Sequence, residues 1–180
     1  MMLLGDSMMG RLVKWLRCVG VDTAFFERKD YDGILKAARD QGRVIVTLDR
    51  RLAGRVDASQ VYLVRTSNHK GALGELLADF GVEFDAQNFL ARCSKCNASS
   101  YQRLTPQELD KMVTEGKLSE QVVKAMSKFY MCTGCMQVFW KGHQYESAKE
   151  KIADVLMLKE KIVAADDFDS DDEGGGGGGG

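Results

Sequence analysis

The first 90 residues alternate short apolar runs with stretches in which apolar residues recur at helical spacing. Four apolar runs predict strands at residues 1–4, 21–26, 44–48 and 61–64. Three amphipathic stretches predict helices at residues 8–19, 31–41 and 71–80, and a glycine follows each of them (Gly20, Gly42 and Gly81). Alternating strands and helices with short connections are typical of a parallel sheet covered by helices. The pattern therefore predicts an α/β fold.

Residues 91–146 have a different pattern, in which two Cys-x-x-Cys pairs bracket two helical segments. Thr105-Pro106-Gln107-Glu108 is a capping box with proline at the first helical position, which predicts the start of one helix. A second helix is predicted at residues 118–129, and helical spacing of apolar residues predicts a C-terminal helix at residues 147–165. We therefore divide the chain into an α/β domain (1–90), a cysteine module (91–146), the C-terminal helix (147–165) and a tail (166–180).

The tail changes what the net charge implies. The whole chain has a formal charge of −1, but residues 166–173 carry six acids, so the rest of the chain is about +5. The acidic run and the seven glycines after it have little to bury, and we expect them to be disordered. A mildly basic folded part is compatible with a nucleic-acid partner.

The apolar runs of the sequence indicate where in the cell the protein is expected to be found. It contains no apolar run of about 18 residues, which is what a membrane-spanning helix needs. Asp6 interrupts the N-terminal apolar run too early for a secretory signal. We therefore expect no membrane partner and an intracellular location, cytoplasmic or nuclear.

The two Cys-x-x-Cys pairs are the strongest chemical signal in the chain. They are Cys93 with Cys96 and Cys132 with Cys135. Four thiolates complete the tetrahedral shell of Zn²⁺ and leave no position for water, so the predicted zinc site is structural. A disulfide or a redox pair is the alternative use of this spacing. Cys18 lies in an apolar helical pattern and is predicted to be a buried, unreactive side chain.

Aspartates follow three of the predicted strands. Asp6 comes directly after the first strand, Asp30 and Asp32 lie at the start of the helix after the second, and Asp49 comes directly after the third. Because ligands of open parallel sheets bind outside the carboxyl ends of the strands, these carboxylates are expected to converge. A hard cation such as Mg²⁺ or Mn²⁺ would offset their repulsion and can activate water for attack on a phosphodiester. The alternative is that each aspartate only caps the following helix.

Basic residues close to these acids in the sequence are candidates for binding backbone phosphates. They are Arg11, Lys14, Arg50 and Arg51, with Arg55 one turn further on. Taken alone, the row of Arg11 and Lys14 fits a solvated helix face equally well.

Four segments, in this order, resemble the Mut7-C RNase domain family, a PIN-like nuclease fold followed by a zinc ribbon. The segments are residues 3–17, 42–52, 92–97 and 132–142, and the resemblance covers about residues 2–150. It implies a PIN-like parallel sheet, a four-cysteine zinc ribbon and metal-dependent cleavage of RNA. The resemblance places the family's acids on Asp6, on Asp32 with Asp30 beside it, and on Asp49, where they would hold Mg²⁺ or Mn²⁺. Members occur alone or at the C-terminus of 3′-to-5′ exonucleases, so it also implies fusion to, or association with, such a domain.

The chain departs from the family pattern after the fourth strand. PIN sites often carry a fourth acid there, whereas this chain has Arg65-Thr66-Ser67-Asn68. The expected site therefore has three acids, and Asn68 can supply a neutral oxygen. The alternative function is a non-catalytic RNA-binding or scaffold module with a zinc ribbon.

Overall fold

The computed structural model describes residues 1–57, 59–83 and 88–156. The predicted tail and the predicted helical residues 157–165 lie outside the described residues. The first part of the chain contains four strands, β1 (Met2–Gly5), β2 (Asp22–Phe25), β3 (Val44–Thr47) and β4 (Val61–Leu63). It also contains four helices, α1 (Gly10–Cys18), α2 (Tyr31–Gln41), α3 (Arg50–Ala53) and α4 (His69–Asp79).

The four strands form one parallel sheet in the order β2-β1-β3-β4. Side chains alternate between its two faces, as the pleat of a strand requires. Leu3 packs into a core with α1 and α4, whereas Leu4 packs into a second core with α2 and α3. Burying each such leucine stabilises the fold by roughly 1.5–3 kcal/mol. The predicted α/β architecture is confirmed, and the short helix α3 is an addition that the sequence pattern did not predict.

Two glycines set the geometry around the first two helices. A Cβ atom on Gly5 would lie 2.4 Å from Cγ2 of Val13, so glycine lets α1 approach the end of β1 closely. Gly42 has a φ of +60°, the left-handed conformation that glycine adopts readily, and it ends α2 where the sequence predicted. Gly5 therefore allows the carboxyl end of β1 to pack closely against α1, and Gly42 allows the chain to turn from α2 into β3.

The cysteine module contains a second, antiparallel sheet. Its strands are β5 (Tyr101–Arg103), β6 (Phe129–Cys132) and β7 (Val138–Trp140), in the order β5-β6-β7. Between β5 and β6 lie α5 (Pro106–Thr114) and α6 (Glu120–Ala125). The capping box is confirmed, because Thr105 and Glu108 exchange the two expected hydrogen bonds at the start of α5.

The predicted helix over residues 118–129 is wrong at its C-terminal end. The helix ends at Ala125, and Phe129 begins β6 instead. Phe129 is buried with Leu104 and Met131 in the core of the small sheet. Packing against residues distant in sequence therefore overrides helical spacing at this position.

The last described helix, α7 (His143–Leu156), begins four residues before the predicted start at 147. Ile152 and Ala153 are buried in the core that α1 and α4 form on the parallel sheet. An ion pair of 3.3 Å joins Asp154 to Lys70 of α4. Among the described helices, none is long and apolar enough to cross a membrane.

Candidate active site and metal centre

The four cysteines of the two pairs form a compact sulfur cluster. Their Sγ atoms all lie within 4.8 Å of one another, with 3.7 Å between Cys93 and Cys135 and 3.5 Å between Cys96 and Cys132. Four sulfurs at about 2.3 Å from a tetrahedral Zn²⁺ are separated by about 3.8 Å. All four cysteines are free, so none is held in a disulfide. The cluster fits the predicted metal and suggests a zinc site.

Each cysteine pair lies on a tight turn of the same design. The carbonyl of Cys93 accepts the Asn97 amide at 2.8 Å, and the carbonyl of Cys132 accepts the Met136 amide at 2.9 Å. Asn97 and Met136 both have left-handed φ angles.

Cys18 lies apart from this cluster and is buried as predicted, and its burial raises the pKa of its thiol to about 11.

Asp6 lies directly after β1 and is buried, with 7% of its surface exposed. One carboxylate oxygen accepts the amide of Met8 at 2.8 Å, and the other accepts the hydroxyl of Thr47, the last residue of β3. In the part of the chain that the structure describes, Asp6 makes no salt bridge. A buried carboxylate whose hydrogen-bond donors are neutral is costly unless a cation compensates it.

Asp49 follows β3 and caps α3. Its Oδ1 accepts the amides of Arg51 at 2.8 Å and Leu52 at 3.4 Å, and its Oδ2 accepts the hydroxyl of Tyr31 at 2.5 Å. The Tyr31 hydrogen bond and then the backbone amide of Arg51 lower the pKa of Asp49. The amide of Asp49 in turn donates to Oγ1 of Thr47 at 2.8 Å. Thr47 therefore links Asp6 and Asp49 directly.

The two aspartates at the start of α2 have other partners. Asp30 caps the helix by accepting the amide of Gly33 at 3.0 Å. Asp32 is largely exposed and lies 3.7 Å from a guanidinium nitrogen of Arg55. That guanidinium lies over the ring of Tyr31, at 4.7 Å from its centroid, and the hydroxyl of Tyr31 donates to Asp49. The contacts thus connect Asp32 to Asp49 through two intervening side chains.

The carboxylates do not form a closed ligand set in this conformation. Within residues 1–57, 59–83 and 88–156, the four cysteines are the only group of three or more candidate ligands whose ligand atoms lie within 4.8 Å of one another. Asp6 and Asp49 are joined through Thr47, whereas Asp32 is linked to Asp49 only through Arg55 and Tyr31, and Asp30 caps α2. The three-acid metal site remains a prediction.

The candidate phosphate-binding residues lie on two helices that start near the carboxyl edge of the sheet. Arg11 and Lys14 are exposed on α1, and Arg50 and Arg51 are exposed in the first turn of α3. None of these four side chains forms a salt bridge with another described residue. Asn68 caps α4, because its side-chain oxygen accepts the amide of Gly71 at 2.7 Å.

A carboxylate that the sequence analysis did not identify lies beside the segment after β4. Glu75 of α4 accepts the hydroxyl of Thr66 at 2.7 Å, the hydroxyl of Tyr62 at 2.9 Å and the amide of Arg65 at 2.9 Å. Burial alone would raise the pKa of Glu75, but these hydrogen bonds outweigh burial and lower the pKa to about 2. Glu75 therefore fixes the segment after β4, and its carboxylate is already compensated by these hydrogen-bond donors.

Thr47 and Tyr31 were also missed as members of the site. The signal for Thr47 is present in the sequence, since a hydroxyl residue stands two positions before Asp49 at the end of a buried strand. No local pattern marks Tyr31, because its contact with Asp49 joins residues 18 positions apart.

A shallow groove lies between the end of β2 and the first cysteine pair. Its lining is aromatic and charged, and consists of Phe25, Phe26, Glu27, Arg28 and Lys95. The ring of Phe25 lies over Gly10 at the start of α1, so the groove begins close to the end of β1. The groove thus extends from the carboxyl edge of the parallel sheet to the cysteine module.

Comparison with known families agrees with this architecture. The model of the Mut7-C RNAse domain matches residues 1–152, a range that includes the parallel sheet, the four cysteines and most of α7. Searches of curated proteins and of solved structures gave no match.

Proposed function

The chain belongs to the Mut7-C RNAse domain family, and from this premise we propose that it hydrolyses RNA phosphodiester bonds with a metal-dependent cluster of aspartates. The family implies a ribonuclease and therefore an RNA substrate. The participation of particular aspartates and the need for Mg²⁺ or Mn²⁺ are our inference. We assign the chemistry to residues 1–90 and the structural zinc to residues 91–146.

One observation carries the assignment of the active site. Asp6 is a buried carboxylate at the carboxyl end of a central parallel strand, and its hydrogen-bond donors are an amide and a hydroxyl. Such a group needs a positive charge, and none of the described side chains supplies one through a salt bridge. A hard divalent cation would supply it, and carboxylate oxygens are the ligands that Mg²⁺ and Mn²⁺ prefer.

Asp6 and Asp49 would hold this cation, with Asp32 or Asp30 as the third carboxylate. When bound, the cation supplies Lewis-acid activation of water and stabilises charge on the phosphate. The chain itself fixes the two carboxylates. Thr47 orients Asp6, while the Tyr31 hydroxyl and two amides of α3 orient Asp49 and keep it ionised.

The surroundings of the acids suit an RNA strand. Arg11, Lys14, Arg50 and Arg51 are exposed cations on α1 and α3 that can contact phosphates, with Asn68 at the start of α4 as a further polar contact. Beyond β2, the groove between the parallel sheet and the cysteine module offers aromatic rings at Phe25 and Phe26 and cations at Arg28 and Lys95. Aromatic stacking together with basic side chains is the usual chemistry for binding single-stranded RNA. We therefore infer that the cysteine module helps to position RNA.

The experiment is cleavage of single-stranded and structured RNA by the purified chain, with Mn²⁺ or Mg²⁺ added in increasing amounts. We expect cleavage that requires the metal and falls by about 100-fold or more in Asp6→Asn and Asp49→Asn. Asp40→Asn is the matched control, because Asp40 is exposed on α2 and pairs with Lys36. Absence of cleavage with either metal, or undiminished cleavage by Asp6→Asn, would contradict the proposal.

A second function is favoured by the caps that the aspartates form. Asp30 and Asp49 each accept amides at the start of a helix, which is a structural role that needs no metal. The alternative is therefore a non-catalytic RNA-binding or scaffold module. It predicts salt-dependent RNA binding while the RNA stays intact with either metal, and a loss of stability but not of binding in Asp49→Ala, which removes the cap. Association with a 3′-to-5′ exonuclease domain and a cytoplasmic or nuclear location stay predictions.

A further inference from the structure

Arg17, in the last turn of α1, is a buried cation whose hydrogen-bond acceptors are backbone carbonyls. Only 5% of its surface is exposed. Its Nε donates to the carbonyl of Thr23 at 2.7 Å, and its Nη1 donates to the carbonyls of Ser94 at 3.0 Å and Lys95 at 2.8 Å. Across the described ranges it makes no salt bridge. These hydrogen bonds give its Nε and Nη1 acceptors, but because carbonyls are neutral they leave its charge uncompensated.

Two of the three carbonyls that Arg17 contacts, those of Ser94 and Lys95, belong to the turn between Cys93 and Cys96, and the third is in β2. The same turn covers the outer edge of β2, which is the edge strand of the parallel sheet. Asn97 accepts the amide of Thr23 at 3.1 Å through its side-chain oxygen and donates to Asp22 at 2.8 Å. The first cysteine turn therefore takes the place of a neighbouring strand at Thr23, and Arg17 fastens the turn from the inside of the fold.

Two further arginines surround this junction. Asp22 pairs with Arg43 at 2.6 Å and with Arg92 at 3.3 Å, and Arg92 also donates to the carbonyl of Asn97 at 3.1 Å. Three guanidinium groups and one carboxylate leave two positive charges uncompensated. Four thiolates and one Zn²⁺ together have a net charge of −2. The loaded metal centre therefore balances the two uncompensated positive charges at this junction.

We propose that Arg17, Arg43 and Arg92, together with Asp22, form the outer electrostatic shell of the four-cysteine centre and couple zinc binding to the edge of the parallel sheet. When the metal is bound, the negatively charged centre compensates the charge of the buried guanidinium of Arg17 and helps to hold the first cysteine turn against β2. Removing the metal removes the centre that compensates the charge of buried Arg17, so the first cysteine turn is held less firmly against β2. The coupling involves the four cysteines and the residues between them and β2 but none of the proposed catalytic aspartates, so it stands whether or not the chain cleaves RNA.

The first test measures zinc affinity of the full chain by competition with a chromophoric chelator. Arg17→Gln is expected to weaken zinc binding by about 10- to 100-fold, the usual effect of losing an outer-shell partner. Arg17→Lys keeps the positive charge but loses the planar set of guanidinium donors, so we expect a smaller loss of zinc affinity than in Arg17→Gln. Arg39→Gln is the control, because Arg39 is exposed on α2, and its zinc affinity should equal that of the unmodified chain.

The second test needs no variant and remains informative if Arg17→Gln does not fold. Amide hydrogen exchange is followed in the unmodified chain with zinc and after its removal by a chelator. We expect the Thr23 amide and its neighbours in β2 to lose protection by at least about tenfold, while the central strand β3 changes less. An Arg17→Gln variant that binds zinc as tightly as the unmodified chain would overturn the proposal, as would equal protection of β2 with and without zinc.

Discussion

The hydroxyl of Thr47 donates a hydrogen bond to Oδ2 of Asp6 and so joins the carboxyl ends of β3 and β1. Thr47 is completely buried, and its oxygen also accepts the amide of Asp49 at 2.8 Å. One side chain thus contacts the carboxylate of Asp6 and the backbone amide of Asp49, which follow adjacent strands. The site we propose depends on this residue as much as on the acids.

Replacing Thr47 with valine should lower RNA cleavage and stability together. The valine keeps the shape of the side chain but leaves an oxygen of buried Asp6 without its donor, which costs about 1–3 kcal/mol. We expect cleavage to fall about tenfold or more, because the Asp6 carboxylate then loses the hydrogen bond that fixes its orientation. Urea unfolding and Mn²⁺-dependent cleavage are the measurements. Thr47→Ser keeps the hydroxyl and is expected to retain most of both, and unchanged cleavage by Thr47→Val would contradict the role of Thr47.

Replacing Tyr31 with phenylalanine should move the acid side of the pH profile to higher pH. The Tyr31 hydrogen bond is the main cause of the lowered pKa of Asp49, so its removal lets that pKa rise. A higher pKa means that Asp49 loses its charge at a higher pH, while activity near neutral pH changes little. The measurement is kcat/KM from about pH 4 to about pH 8. Tyr130→Phe, in β6 of the other sheet, is the control and should leave the profile unchanged. An unshifted acid limb in Tyr31→Phe would show that Asp49 does not set it.

The parallel sheet could be predicted because its signals are local. The β-branched run from Val44 and the helix from Tyr31 to Gly42 each carry their own periodicity and end signals, and the structure confirms both. The cysteine cluster could be predicted for the same reason, since the spacing within each pair already fits a metal turn. The small antiparallel sheet could not, because its strands have only three or four residues and Tyr101 pairs with Cys132, far away in sequence.

In the candidate site, too, local features could be predicted from the sequence and contacts between distant residues could not. The position of an aspartate after a strand is visible in the sequence, and Asp6 and Asp49 lie where the strands predict. The partners of these acids are not visible. The contact of Thr47 with Asp6 spans 41 residues, and Glu75 reaches the segment after β4 only because α4 packs beside that strand. Side-chain networks of this kind follow from the assembled fold rather than from any local pattern.

The five cysteines should react with an alkylating reagent in two classes. Cys18 is buried and its pKa is about 11, so at neutral pH only about one thiol in ten thousand is in the reactive thiolate form. The other four should be protected by the metal in the zinc-loaded chain and react once a chelator is added. Mass spectrometry of digested protein would show which cysteines are modified, and urea with chelator gives the reference for full reaction. Rapid modification of Cys18 in the zinc-loaded, folded chain would contradict its burial.

Replacing Glu75 with glutamine should remove stability that depends on pH. The side chain of Glu75 is 8% exposed, and its carboxyl group has a pKa of about 2 in the folded chain, against an ordinary value of 4.5. Because its pKa is lowered by folding, ionised Glu75 stabilises the fold above about pH 4.5, and this contribution is lost as the pH falls towards about 2.

At neutral pH we expect Glu75→Gln to lower the free energy of unfolding by roughly 2–3 kcal/mol, because the amide replaces a charged acceptor of several hydrogen bonds. The difference between the variant and the unmodified chain should shrink as the pH is lowered from about 5 to about 2. Urea unfolding at a series of pH values measures this. Glu120→Gln serves as the control, since Glu120 is exposed and pairs with Lys124, and it should change stability by less than about 0.5 kcal/mol at any pH. A Glu75→Gln penalty that stays constant down to the lowest pH would show that the charge of Glu75 does not hold the segment after β4.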